Sequence, residues 1–191
     1  MTMRVGIVGG TFDPIHVGHV MVAACVHQEL QLDETRIVVA GDPYQKAPPT
    51  APGDERVEAA RAAVDELGID GIVVDDSEVR RAGPTYTIDT VEQMAGDDIY
   101  LAIGNDAATR IPTWHRVDEL RALVTLAVVQ RPGAAPPDLP GWRIAPVDIP
   151  LLDVSSSMIR GRLMLGLPVD GLVPAAAMRV VRKYGRYAGA R

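Results

Sequence analysis

The sequence contains a single cysteine, no long apolar run and no excess of basic charge, and each shortage excludes a class of protein. Cys25 cannot form a disulfide within the chain, so we expect a buried thiol and a reducing compartment. No stretch reaches the roughly 18 consecutive apolar residues that a membrane-spanning helix needs. The net charge of −6 argues against a basic surface for binding nucleic acid.

The start of the chain also lacks the basic segment and long apolar segment of a secretory signal. We therefore expect a cytoplasmic protein that has neither membrane nor nucleic-acid partners. With 191 residues, of which 47% are hydrophobic and 23% charged, the chain suits one domain over residues 1–191. The sequence shows no internal repeat, and it leaves a homo-oligomer open.

Short β-branched apolar runs alternate with helical patterns, which predicts an α/β fold with a parallel sheet covered by helices on both faces. A last helix over residues 174–184 is expected to form a C-terminal helical segment. Ligands of such sheets bind beyond the carboxyl ends of the strands, so the loops after the strands should form one site. The predicted strands span residues 5–8, 36–40, 72–74, 99–103, 124–129 and 144–149.

The loop after the first strand contains two glycines, Gly9 and Gly10, and leads into a helical pattern. Such a loop offers backbone N–H groups and the positive end of a helix dipole to a phosphate. His16 and His19 are about one helical turn apart, so both can face one ligand. The loop does not match G-x-G-x-x-G, because no such glycine triplet follows the strand, and it does not match the P-loop, because no lysine follows Gly18. It predicts a phosphate site of another kind and disfavours an NAD-dependent dehydrogenase.

Later segments offer further ligand contacts, each with a purely structural alternative. The serines of residues 155–157 start a helix with Arg160 one turn along, which is either a phosphate clamp or a capped helix with a solvated arginine. Thr87 is expected to be a helix N-cap, and its hydroxyl could also bind a ligand. Trp114 either stacks on an aromatic ligand or belongs to the core. Lys46, in a proline-rich loop, either meets a phosphate or is solvated.

The string G-G-T-F-D-P-x-H-x-G-H over residues 9–19 resembles the signature of the nucleotidyltransferase superfamily. Together with the segments 84–90, 104–106, 112–114 and 154–160, it resembles the bacterial nicotinate-mononucleotide adenylyltransferases over residues 3–187. The resemblance implies a Rossmann-like, doubly wound parallel sheet in a three-layer α/β/α arrangement. It also implies an enzyme that joins ATP, with Mg²⁺, and nicotinate mononucleotide to give deamido-NAD and pyrophosphate in NAD biosynthesis.

The same resemblance assigns roles to individual residues. His16 and His19 become the catalytic groups at the ATP phosphates, while Asp13 is expected to buttress their loop. No protein-bound metal is implied, His115 receives no assigned role, and Arg131 is a further candidate for a phosphate contact. The acceptor mononucleotide is expected to contact Lys46, Thr87 and Trp114. The residues expected to bind ATP are Gly9, Gly10, Thr11, Phe12, Gly18, Gly104, Asp106, Ser156, Ser157 and Arg160.

Other acceptors stay open at this point, because the H-x-G-H loop handles only ATP. They are nicotinamide mononucleotide, phosphopantetheine and a specialised nucleotide, although Trp114 and residues 85–87 favour a nicotinate ring. A non-catalytic nucleotide sensor on the same fold is a further alternative. Such a sensor should have lost a histidine or the serine clamp, and both are present. Closure of the loop 42–53 over the site cannot be read from the sequence.

Overall fold

Six parallel strands form one sheet in the order β3-β2-β1-β4-β5-β6. The computed structural model describes residues 2–43, 47–130, 137–150 and 152–187, apart from the side chain of Asp106. All six predicted strands are confirmed. The strands are β1 (Arg4–Gly10), β2 (Glu34–Val39), β3 (Ile72–Asp75), β4 (Asp98–Gly104), β5 (Val124–Gln130) and β6 (Arg143–Asp148).

Helices cover both faces of this sheet. α1, α2, α7 and α8 contribute to the core on one face, and α4, α5 and α6 to the core on the other. A short 3-10 helix, Ile111–Thr113, precedes α6. The helices are α1 (Val17–Glu29), α2 (Gly53–Leu67), α3 (Ser77–Arg80), α4 (Thr87–Glu92), α5 (Asn105–Ala108), α6 (Val117–Leu123), α7 (Ser156–Met164) and α8 (Ala175–Tyr184).

Strand β5 shows why both faces need cover. Leu126 and Val128 belong to the core that contains Leu120 of α6, whereas Ala127 and Val129 belong to the core that contains Val26 of α1. Successive side chains of a strand point to opposite faces, so an apolar run such as this one buries both. The layers and strand order confirm the predicted doubly wound, Rossmann-like fold.

The short helix α3 covers most of the polar segment 78–81, and Asp75 Oδ1 accepts the N–H of Ser77 at 2.8 Å. One local prediction differs from the structure. The N-cap of α4 is Tyr86 rather than Thr87, so that prediction was wrong. Thr85 is bound to the carbonyl of Asp42 through its N–H and its hydroxyl, which keeps the chain extended until Tyr86.

The C-terminal helix α8 packs against α2 and carries the end of the chain back towards β1. Glu66 of α2 accepts the N–H groups of Ala175 and Ala176 at the start of α8. Lys183 and Tyr184, at its end, both bind the carboxylate of Glu58. No helix in the described part of the chain is long and apolar enough to cross a membrane.

Candidate active site

The site lies beyond the carboxyl ends of β1 and β4, where the strand order reverses direction. Such a switch point leaves a crevice, because the connections on its two sides lead to opposite halves of the sheet. Two cavities occupy this crevice, with volumes of about 260 Å³ and about 410 Å³. We call the first the β4 cavity and the second the α7 cavity. Gly9, Gly10 and Thr11 line both, so the cavities meet at the end of β1.

The glycines at the end of β1 let a ligand approach the backbone closely. A Cβ on Gly9 would meet no atom within 4 Å, so this side of the residue is open space. A Cβ on Gly10 would lie 2.8 Å from the Phe12 ring, which is packed beneath the loop. Phe12 itself has a φ of 50°, an uncommon conformation for a non-glycine residue. The loop therefore leaves the backbone at Gly9 open to a ligand.

Asp13 holds this loop in place. Its carboxylate accepts the N–H groups of Thr50 and Ala51 at 2.8 and 3.1 Å and the hydroxyl of Tyr187 at 2.6 Å. The residue is 5% exposed, and its oxygens are already engaged by these donors. Burial and the hydrogen bond to Asp13 raise the pKa of Tyr187, so its hydroxyl keeps the proton that it donates. These contacts agree with the buttressing role predicted for Asp13.

Arg56, which the sequence reasoning missed, ties together the loops behind the site. The side chain is buried, and its guanidinium donates to the carbonyls of Thr11 and Ala40 at 2.7 Å and of Ala51 at 3.0 Å. These carbonyls belong to the loops after β1 and β2 and to the segment before α2. A signal was present in the sequence, because Arg56 shares a helical stripe with Ala60 and Ala63, both of them buried.

His16 and His19 stack at the start of α1, with ring centroids 3.6 Å apart and planes inclined by 23°. His16 is the N-cap of α1, and the backbone N–H of His16 donates to Nδ1 of His19 at 3.2 Å. Since Nδ1 of His19 accepts, the neutral ring carries its proton on Nε2, which becomes the donor atom. The edge of Phe12 also packs on His19, at 4.9 Å between centroids.

The two histidines differ in environment. His19 lines the α7 cavity, whereas His16 is 6% exposed and is not among the described residues that line either cavity. Burial lowers the pKa of His16 to about 4, so this ring is neutral at pH 7. Among the described residues, the buried hydroxyl of Thr11 has no hydrogen-bond partner, so it is available to a ligand at the end of β1.

Two serines of residues 155–157 line the α7 cavity together with His19. Ser155 caps α7 by accepting the N–H of Met158 at 3.2 Å, and Ser156 donates to the carbonyl of Pro14 at 2.9 Å. Arg160 donates to the carbonyl of Asp13 at 2.7 Å and to Ser157 Oγ at 3.2 Å. Ser156, Ser157 and Arg160 all line the cavity, so the structure brings them together with His19 and the β1 loop.

The β4 cavity contains Thr87 and Trp114, two of the three residues predicted for the acceptor. Thr87 and Trp114 line it, and Trp114 is partly buried against the core beneath. Thr87 is the first residue of α4 and borders the cavity. Gly104, predicted to bind ATP, lies here rather than in the α7 cavity. Arg110 also lines this cavity and was missed, because it falls between two recognised motifs.

A hydroxyl-rich wall completes the β4 cavity. Glu78, Thr85 and Thr90 line it, and all three are buried. Thr90 donates to Glu78 Oε1 at 2.7 Å, and burial raises the pKa of the Glu78 carboxyl. The carbonyl of Glu78 would lie 2.2 Å from a Cβ on Gly41, so only glycine lets the β2 loop approach α3 this closely. None of these contacts was predicted from the sequence.

The remaining residues predicted for the site lie outside the two cavities or outside the described part of the chain. Lys46 and Arg131 lie outside the described residues, as does the side chain of Asp106, whose backbone belongs to α5. Gly18 lies outside both cavities as described; a Cβ there would lie 3.0 Å from Val154 and 3.1 Å from the His16 ring, which indicates a packing role. The ring of His115 packs on Tyr86 at 4.2 Å between centroids.

Replacing Tyr187 by phenylalanine should loosen the buttress of the β1 loop. The change removes one donor from a buried carboxylate, and hydrogen bonds to charged groups contribute about 1.5–3 kcal/mol. We expect the free energy of unfolding, measured by urea denaturation, to fall by about that amount. Tyr184→Phe is the matched control, since Tyr184 binds Glu58 at the exposed surface, and it should change stability by less than about 0.5 kcal/mol. Equal losses in the two variants would contradict a special role for Tyr187.

A model of the cytidylyltransferase-like family matches residues 7–162 of this chain. A protein of Bordetella petrii named "Probable nicotinate-nucleotide adenylyltransferase" is 36% identical over 194 residues, which cover 96% of this chain and 98% of that protein. A protein of the same name from Methylibium petroleiphilum is 40% identical, over 95% of this chain and 89% of that protein.

Solved structures with the same fold include the Plasmodium falciparum nicotinic acid mononucleotide adenylyltransferase complexed with NaAD. It superposes with a TM-score of 0.78 over 97% of both chains at 19% identity. A structure described as a nicotinate-nucleotide adenylyltransferase from Vibrio parahaemolyticus gives a TM-score of 0.69 over 100% of this chain and 98% of that chain at 16% identity. At these identities the likeness shows the fold.

Proposed function

This chain belongs to the nicotinate-nucleotide adenylyltransferases of the cytidylyltransferase-like family, and we propose that it transfers the adenylyl group of ATP to nicotinate mononucleotide where its two cavities meet. The products are deamido-NAD and pyrophosphate, a step of NAD biosynthesis that we place in the cytoplasm. We also propose that residues 1–191 act as one nucleotidyltransferase domain. The shared wall of Gly9, Gly10 and Thr11 carries the proposal, since a transfer between two substrates needs two pockets with one common point.

The reaction needs positioning more than it needs a protein nucleophile. An oxygen of the acceptor phosphate attacks the α-phosphorus of ATP, and a new P–O bond forms. The bond from the α-phosphorus to the β-bridging oxygen breaks, and pyrophosphate leaves with that electron pair. Because the monoester phosphate is already an anionic nucleophile, catalysis comes from alignment and from neutralising the charge that builds on the leaving group.

The α7 cavity is assigned to the triphosphate. The open space at Gly9 and the unpartnered hydroxyl of Thr11 suit the α-phosphate, where close approach is needed. His19 donates from Nε2 to the phosphates, and the neutral His16 stacks behind it and completes the pair. The proposed ATP contacts that line this cavity are Gly9, Gly10, Thr11, Phe12, Ser156, Ser157 and Arg160. Gly18, Gly104 and Asp106 stay predicted ATP contacts, although Gly104 lines the β4 cavity and Gly18 lines neither cavity as described.

A divalent ion, which we propose to be Mg²⁺, arrives as part of the nucleotide substrate. The described residues contain no group of three or more His, Cys, Asp or Glu side chains that could hold a metal ion. Asp13, the carboxylate on the α7 cavity wall, already accepts three hydrogen bonds. Mg²⁺ is commonly carried by substrate phosphates with few protein ligands, and this donor set is compatible with that arrangement.

The β4 cavity is assigned to nicotinate mononucleotide. The partly buried indole of Trp114 offers a flat apolar face for the pyridine ring. Thr87, at the start of α4 and on the cavity wall, is proposed to bind the ring substituent. Lys46 stays a proposed contact of the acceptor phosphate. We leave the oligomeric state open, with a homo-oligomer as one outcome of a sizing experiment.

Pyrophosphate release from the purified protein tests this function directly. With ATP, Mg²⁺ and nicotinate mononucleotide we expect turnover, and kcat/KM should be clearly lower with nicotinamide mononucleotide. CTP in place of ATP and phosphopantetheine in place of the mononucleotide serve as control substrates, and chelation of the metal should abolish release. No release with nicotinate mononucleotide would reject the function. Equal kcat/KM for the two mononucleotides would reject the acceptor preference.

A further inference from the structure

Arg110 places a cation on the wall of the β4 cavity, and its backbone is firmly held. It is the N-cap of the 3-10 helix. Its N–H donates to Ala107 at 3.0 Å, and its carbonyl accepts the N–H and the hydroxyl of Thr113 at 2.9 and 2.7 Å. The guanidinium therefore projects from a fixed base at the edge of the cavity.

The charge of Arg110 is not neutralised by the described part of the protein. Among the described side chains, which do not include that of Asp106, the guanidinium of Arg110 has neither a hydrogen bond nor an ion pair. Arg116, on the same segment, binds Glu92 and Glu119 instead. Glu78, the acid that shares the cavity, is engaged by Thr90, and burial raises the pKa of its carboxyl. As far as the described side chains go, the β4 cavity thus offers an anionic ligand a cation that no carboxylate binds.

The chemistry of adenylyl transfer fixes which end of the acceptor reaches Arg110. The acceptor phosphate must lie at the junction of Gly9 and Thr11, because the new bond to the α-phosphorus forms there. Arg110 and Trp114 line the β4 cavity alone, so they lie away from the reacting phosphate. Nicotinate mononucleotide carries a second anion, the carboxylate of its pyridine ring, at the end opposite the phosphate. That carboxylate is the anion available to Arg110.

We propose that Arg110 is the counter-ion of the pyridine carboxylate and a determinant of the preference for nicotinate over nicotinamide mononucleotide. This inference rests on the proposed function. A guanidinium can form charge-assisted hydrogen bonds with a carboxylate, whereas a neutral carboxamide gains much less from it. Arg110 thereby adds a charged contact to the stacking and hydroxyl contacts of Trp114 and Thr87.

Arg110→Gln and Arg110→Lys test the proposal through a ratio of acceptors. Removing a charge-assisted hydrogen bond should lower kcat/KM for nicotinate mononucleotide by about 10-fold to 100-fold. With nicotinamide mononucleotide, kcat/KM should change by less than about 3-fold, because the neutral carboxamide gains little from the guanidinium of Arg110. Arg110→Lys should restore part of the nicotinate rate, since it keeps the charge. The KM for ATP should be unchanged in both variants.

Every other outcome overturns either the proposed role of Arg110 or the proposed function. Equal losses with both acceptors would overturn the proposal, because a phosphate contact or a structural role affects both alike. An unchanged rate with nicotinate mononucleotide would overturn it as well. A wild-type protein that shows no acceptor preference would remove the proposed determinant while leaving adenylyl transfer intact. A wild-type protein that releases no pyrophosphate from ATP and nicotinate mononucleotide would reject the function itself, and the inference with it.

Discussion

Replacing His19 by asparagine is expected to lower kcat by at least ~100-fold while the protein stays folded. The Oδ1 atom of asparagine can take the place of Nδ1 and keep the hydrogen bond from the backbone of His16, which measures 3.2 Å. The change removes Nε2, the donor that we assign to the ATP phosphates. Since that donor acts on charge that develops in the transition state, kcat should fall much more than the affinity for ATP. Steady-state kinetics of pyrophosphate release and ATP binding at equilibrium would measure the two effects.

Two further substitutions separate catalysis from loop structure. His19→Ala removes both ring nitrogens and the contact with Phe12, so it should lose the same turnover and some stability as well. His19→Gln places a neutral donor near the position of Nε2 and should recover part of the rate. If His19→Asn turned over at a rate within a few-fold of the wild type, the assignment of His19 as a catalytic residue would be wrong, and the sensor alternative would gain support.

Local patterns predicted the strands and the glycine-containing loop after β1 well. The six strands are short and β-branched, and burial on both faces leaves little choice in the sequence of such segments. The glycines of the β1 loop and the histidines of α1 are close in sequence, so their spacing alone indicated that they share a ligand. The serine segment was predicted to join them by resemblance, and it lines the same cavity as His19.

Contacts between distant parts of the chain were the part that could not be predicted. Tyr187 donates to Asp13 across 174 positions of sequence, and no local signal marks either residue as its partner. The N-cap of α4 was misplaced by one residue, because Thr85 is bound to Asp42 in a loop 43 positions away. Arg110 lies between the motifs 104–106 and 112–114 in the sequence. Its place on the wall of the β4 cavity follows from the order of the strands. Such positions depend on packing and therefore need the structure.

Replacing Arg56 by methionine is expected to be the most destabilising of these changes. The guanidinium makes three hydrogen bonds of 2.7–3.0 Å to the carbonyls of Thr11, Ala40 and Ala51. Because burial of the charged guanidinium offsets part of each bond, we take about 1 kcal/mol net for each of the three short bonds, so the free energy of unfolding should fall by about 3 kcal/mol. For a chain of this length, that corresponds to a fall of roughly 6–12 °C in Tm. Because the freed carbonyls border the β1 loop, the KM for ATP should rise as well.

Arg61→Met is the matched control, since it makes the same change on the same helix α2. Arg61 pairs with Asp76 at 2.8 Å, but its side chain is 54% exposed, and exposed ion pairs contribute about 0–1 kcal/mol. The Tm of the Arg61→Met variant and its KM for ATP should therefore stay close to the wild-type values. Calorimetry and steady-state kinetics on both variants would check the pair. Similar small shifts for Arg56 and Arg61 would show that the loops around the site are held by packing rather than by the buried guanidinium.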